Sequence, residues 1–130
     1  MFRGAGLVRT PKGYLFEKSE KGYVFAVGGK IMLNEVSKEA MRREIKEEIG
    51  LDTKELNLYA VIENFYETSK EKVHEICFVY NIGDLFTNNV PQGFIEVPSA
   101  DMGKYDVRPS PIVDIIKNRK EPFRHIVVKK

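Results

Sequence analysis

Gly28-Gly29-Lys30-Ile31-Met32-Leu33-Asn34-Glu35-Val36-Ser37-Lys38-Glu39-Ala40-Met41-Arg42-Arg43-Glu44-Ile45-Lys46-Glu47-Glu48-Ile49-Gly50-Leu51 is the stretch that decides the fold. A glycine pair opens it, a short loop follows, and a helix-forming segment carries a dense group of carboxylates. Ser37 reads as the N-cap, because its hydroxyl can accept a first-turn N–H. Lys38 to Ile49 holds mostly strong helix formers, with neither proline nor glycine. Gly50 suits the left-handed residue that ends many helices. Met41, Ile45 and Ile49 recur every four residues and form an apolar stripe. Glu44, Glu47 and Glu48 are three and four residues apart and form a group of their own. At about 100° per residue, that group is centred roughly a quarter to a third of a turn from the stripe. The helix can bury one side and offer three carboxylates from the side next to it.

Grouped like charges cost a helix roughly 0.2–0.5 kcal/mol per pair. Hard divalent cations take oxygen ligands and would turn that repulsion into coordination. A charged helix face is ordinarily just solvated surface, but the residues around this one argue otherwise. Gly29, Glu35, Arg43, Glu44, Ile45, Glu47, Glu48, Gly50 and Leu51 resemble the signature of Nudix (MutT-like) hydrolases. That signature is Gly-x5-Glu-x7-Arg-Glu-U-x-Glu-Glu-x-Gly-U, where U is bulky and aliphatic. Most of its positions admit a single residue type, so a chance match at one register is on the order of 10⁻⁸. One position departs from the family habit: Val27 stands where a proline often precedes the glycine pair.

The resemblance implies an α/β domain in the broad sense (α+β), a mixed β-sheet held between helices. It implies a pyrophosphohydrolase that cleaves the diphosphate linkage of a nucleoside diphosphate joined to another group, X. The implied cofactor is Mg2+, with Mn2+ as the alternative, and the implied partner is a small nucleotide. Many relatives form homodimers. By the same resemblance, Glu47 and Glu48 are the main metal ligands. Glu44 is a further ligand, an orienting group or the general base. The Gly28 carbonyl is a backbone ligand. Gly29, Glu35, Arg43 and Gly50 hold the architecture, with Arg43 paired to Glu35 and turned away from Glu44. A fourth carboxylate is expected from a later strand or loop: Glu96 first, with Glu75 and Glu63 as alternatives. The rival reading is a nucleotide-binding regulatory module of the same fold that has lost turnover. The intact Glu44, Glu47 and Glu48 speak against it.

Composition sets the outer bounds. A chain of 130 residues, 42% hydrophobic, suits one domain spanning 1–130. A net charge of +2 gives no electrostatic case for nucleic acid or a membrane surface, and the tail Val128-Lys129-Lys130 is too short for a nucleic-acid arm. The single cysteine, Cys77, excludes an intrachain disulfide. No apolar run reaches membrane-spanning length, and Met1-Phe2-Arg3-Gly4 does not open a signal peptide. A cytoplasmic protein is the expectation.

Strands are expected over 5–9, 14–18, 23–27, 56–65, 73–82, 95–97 and 123–128, from apolar runs and alternation bounded by turn residues. Leu56, Leu58, Ala60 and Ile62 alternate as one buried face. Gly83 to Phe94 reads as a long irregular loop reaching the site. Ser110 to Asn118 reads as a second helix, broken by Glu121 and Pro122. The segments Glu63-Asn64-Phe65 and His74-Glu75-Ile76 resemble a pattern in one branch of Nudix proteins. Cys77 and most aromatics, including Tyr23, Phe25 and Tyr66, read as core, with stacking on a base as the alternative for some. His74 reads as a hydrogen-bonded structural residue. Arg3, Arg9, Lys18 and Arg108 read as solvated cations.

Overall fold

Glycines on the first strand decide where the long helix settles. The computed structural model describes residues 1–119 and 122–129. Glu121, read above as part of the helix break, and Lys130 of the basic tail lie outside the described residues. In β1 (Phe2–Leu7), Gly4 and Gly6 alternate on the face that receives α1 (Ser37–Ile49). A Cβ at Gly4 would collide with Met41 Sδ, and one at Gly6 would lie 3.1 Å from Met41 Cε. The helix can sit this low only because those positions carry no side chain.

The remaining elements are β2 (Gly13–Lys18), β3 (Val24–Lys30), β4 (Leu56–Glu67), β5 (Lys72–Ile82), β6 (Phe94–Pro98), a 3-10 helix (Ser99–Lys104), β7 (Val107–Arg108), α2 (Pro111–Lys117) and β8 (Arg124–Lys129). The strands form a mixed sheet in the order β6-β2-β3-β1-β5-β4-β8, with β7 beside β3. β1 runs antiparallel to β3 and parallel to β5. Each side of the sheet has its own core. Met41, Ile45 and Ile49 pack with Leu15, Val27, Tyr80, Ile82 and Phe86 on one side. Ile112, Ile115 and Ile116 of α2 pack with Ala5, Leu7, Ala60, Cys77 and Val79 on the other. This is the expected sheet between helices.

Four local readings are corrected. The Ser37 hydroxyl does not cap α1: the N-cap is Val36, without a side-chain hydrogen bond. Instead Ser37 Oγ is 2.6 Å from the Tyr80 hydroxyl, tying the helix start to β5. β1 begins at Phe2 rather than Ala5 and stops at Leu7. The third strand does not end at Val27 before the glycine pair: Gly28 and Gly29 pair with Ala5 and Gly4, and β3 continues to Lys30. In β4 a register shift falls between Leu58 and Ala60. An extra residue in one strand reverses which face follows. Leu56 therefore packs on the α1 side, Ala60 and Ile62 on the α2 side, and Leu58 is left exposed.

Candidate active site

The loop between β3 and α1 is built around one carboxylate. Glu35 Oε1 accepts the Met32 N–H at 3.0 Å, and Arg43 Nε donates to Glu35 Oε2 at 2.8 Å. Arg43 Nη2 adds a second bond to Glu35 Oε1 at 2.9 Å, which completes a bidentate pair. Asn34 turns the loop with φ 65°, a left-handed conformation that asparagine tolerates. The Arg43 bonds, then the Met32 N–H, hold the Glu35 carboxyl down to about 2. The expected Arg43–Glu35 clamp is therefore present. Arg43 does not turn away from Glu44, however. Its Nη1 donates to Glu44 Oε1 at 2.8 Å and reaches Glu47 Oε2 at 3.4 Å. A long arginine side chain spans neighbouring helix positions, whatever direction its Cα sets.

The three helix carboxylates have three different environments. Relative to the middle of the apolar stripe, Glu48 lies about 60° round the helix, Glu44 about 100° and Glu47 about 160°. Glu47 is accordingly exposed, at 61% of its side chain. Glu44 is 15% exposed and lies against Gly29, where a Cβ would come within 2.8 Å of its carboxyl carbon. Glu48 is half-buried, and its Oε2 is buried with no hydrogen-bond partner among the described residues. Its carboxyl is pushed up to about 8, first by burial, then by a hydrogen bond with the Glu44 side chain and by the charges of Glu17 and Glu44, with Arg3 opposing.

Glu17 is the carboxylate that sequence reasoning missed. On β2 it alternates with Leu15, which is buried under α1, so both side chains face the helix. Burial raises its pKa first, the nearby Arg3 lowers it, and Glu44 raises it again. Period-two alternation shows that Leu15 and Glu17 share a face. Only the sheet order shows that the face is that of α1. Glu96, the expected fourth carboxylate, pairs with Leu15 in the register, whereas Phe94 stands opposite Glu17. Two residue pairs from Glu17 along the register, Glu96 accepts the Lys12 N–H at 3.3 Å. The long loop reaches the site end of β2 through the Gly93 carbonyl, bonded to the Lys18 N–H at 2.8 Å, and through Phe94 opposite Glu17. Glu63 is engaged by His125 at 2.7 Å and His74 at 3.4 Å. Glu75 is buried in a cleft beside the site. Cys77 is core as expected, its thiol pushed up to about 12, chiefly by burial.

Among the described residues, no three histidine, cysteine, aspartate or glutamate side chains are already set around one point as metal ligands. The donor set nevertheless fits a hard cation. Glu48 offers a buried oxygen without a partner, facing a second carboxylate. A buried charge in that condition is costly until something positive neutralises it. Gly29 keeps β3 thin next to Glu44, and Gly28 lets β3 lie close on the β1 backbone at Gly4.

Fold and site together define a class: a mixed sheet between helices, with a carboxylate-bearing helix clamped by arginine to a glycine-led loop. A family model described as NUDIX domain matches residues 3–105, and the chain belongs to the Nudix family. Solved structures with the same fold include a mutator MutT protein of Bacillus halodurans. It has a TM-score of 0.73 at 18% identity, over 97% of this chain and 86% of that one. The MutT protein of Methanosarcina mazei Go1 has a TM-score of 0.63 at 20% identity, over 92% of each chain. A NUDIX family hydrolase of Clostridium perfringens has a TM-score of 0.60 at 18% identity, over 89% of this chain and 93% of that one. At these identities the likeness speaks for the fold. No curated protein matches the chain. Among the described residues, no helix is long and apolar enough to cross a membrane.

Proposed function

We propose that the chain is a pyrophosphohydrolase acting on the diphosphate linkage of a nucleoside diphosphate joined to a further group. The observation that carries this reading is the unpartnered, buried Glu48 oxygen beside Glu44. Glu44, Glu47 and Glu48, with the Gly28 carbonyl, would hold Mg2+, or Mn2+ in its place, and Glu17 adds a fourth carboxylate. When bound, such a cation neutralises phosphate oxygens and acidifies water.

The protein's own share is positioning and charge, as in other phosphoryl transfers. Arg43 fixes Glu44 against the Gly29 backbone. Arg3, on β1 beside Glu17 and Glu48, places a positive charge where a phosphate would approach. A carboxylate of the group accepts the proton of the attacking water. The new P–O bond forms as the bond to the bridging oxygen breaks, and two phosphate-ended products leave.

The test is a screen across nucleoside diphosphate conjugates and triphosphates with magnesium, the products being resolved by ion-exchange chromatography. Hydrolysis in the native protein and its loss in Glu48→Gln are expected. No hydrolysis of any nucleotide, or full activity in that variant, would overturn the reading.

A further inference from the structure

The sheet has two unlike edges. β6 forms one and ends in Pro98, which has no N–H to give a further strand. β8 forms the other. It pairs with β4 in an unbroken parallel register, and among the described residues no strand lies on its other side. Its six residues include Ile126-Val127-Val128 and no proline. Such an edge offers a row of backbone N–H and C=O groups to another strand unless proline, a bulge or an inward charge blunts it. Ile126 and Val128 pack on the α2 core, so His125, Val127 and Lys129 face the other way. Val127 is 56% exposed there, and Phe123, just before the strand, is 55% exposed.

A second copy of the chain supplies the complement. Two β8 strands running antiparallel about a twofold axis at Ile126 set Phe123 opposite Lys129, Arg124 opposite Val128 and His125 opposite Val127. No like charges then face each other. The Arg124 charge is met within its own chain by Asp114 at 2.6 Å, and His125 by Glu63 at 2.7 Å. Lys129 already stands opposite Phe65 of β4, with its Nζ 5.6 Å from that ring's centroid. The copy's Phe123 brings a second ring to the other side of the same lysine. Moving the axis to Val127 sets His125 opposite Lys129. Moving it midway between Ile126 and Val127 sets Arg124 opposite Lys129. Charge therefore favours the register about Ile126.

We infer that β8 is the contact between two copies of this chain, paired antiparallel about Ile126 into one continuous sheet. The inference does not depend on the hydrolase reading. Sedimentation velocity of the full chain over a concentration series should show a monomer–dimer equilibrium. Phe123→Lys sets a lysine against Lys129 twice in each dimer, and Phe123→Glu sets a carboxylate there instead. Phe123→Glu should dimerise at least about tenfold more tightly than Phe123→Lys. Ile126→Cys meets its own copy in this register and should give a disulfide-linked dimer with diamide, whereas native Cys77 is buried and should stay reduced.

A chain that is monomeric throughout the series would overturn the inference, including one that adds a foreign strand to this edge. So would equal dimerisation of the two Phe123 variants, or a dimer in which Ile126→Cys forms no cross-link. The cross-link decides the matter even if a Phe123 variant fails to fold.

Discussion

Two ends of one carboxylate group differ in a single respect. Around Glu35, Arg43 and Glu44, the charges meet partners at 2.8–2.9 Å. One helical turn on, Glu48 has a buried oxygen with none. Acidic residues of the same motif, on the same loop and helix, thus do opposite things. A satisfied carboxylate holds the loop in place. An unsatisfied one stores a demand for positive charge, because a buried polar atom without a partner is costly. Residue type does not separate these roles, and burial with or without a partner does.

The largest effect should come from the unsatisfied end. Glu48→Gln is expected to lower turnover by about 10²–10⁴-fold, measured as nucleotide product formed with magnesium. Its melting temperature without metal at pH 7 should hold or rise, because a carboxyl that burial forces to take up a proton on folding is gone. A stability loss in metal-free Glu48→Gln would show that Glu48 is as structural as its neighbour and would erase the contrast.

The satisfied end should fail in the other order. Arg43→Ala strands the carboxylates of Glu35 and Glu44. Denaturant unfolding should show a lower midpoint, and magnesium affinity should fall roughly 10–100-fold. Unchanged stability would count against the clamp.

Acidity sharpens the same contrast. Glu48 is raised from 4.5 to about 8 in the fold. A raised carboxylate favours its neutral form when folded. Its contribution is complete below about pH 4.5 and is lost as pH rises through about 8. The melting temperature of the metal-free protein should fall across that window, and excess magnesium should flatten the fall. Magnesium binding at pH 7 should release protons, seen as a buffer-dependent heat. A heat independent of the buffer would place the raised group elsewhere.

The smallest effect separates the two candidates for a fourth carboxylate. Glu17→Gln should cost roughly tenfold in activity, as a group beside the ligands does. Glu96→Gln, bonded to Lys12 N–H, should stay within about twofold. The reverse ranking would restore Glu96 to the site.

The sequence alone determined the loop-and-helix unit, because its chemistry is local. Capping by Gly50 and the Met41-Ile45-Ile49 stripe lie within one short stretch and answer to helical spacing, and the Glu35–Arg43 clamp of the same stretch followed from family resemblance. The mixed sheet between helices followed from the same stretch through family resemblance. What stayed hidden depends on elements distant in the chain. The β4 register shift moves Ala60 and Ile62 to the face opposite Leu56, and no alternation rule announces such a shift. Glu17 joins Glu44 and Glu48 only because β2 lies beside β3 in the sheet, under the same helix. Glu48 differs from Glu47 only because packing α1 onto Gly4 and Gly6 buries one side of the carboxylate group and leaves the other in water. Local spacing chose which residues carry the charges. Tertiary packing, which sets desolvation and partners, decided what each charge does.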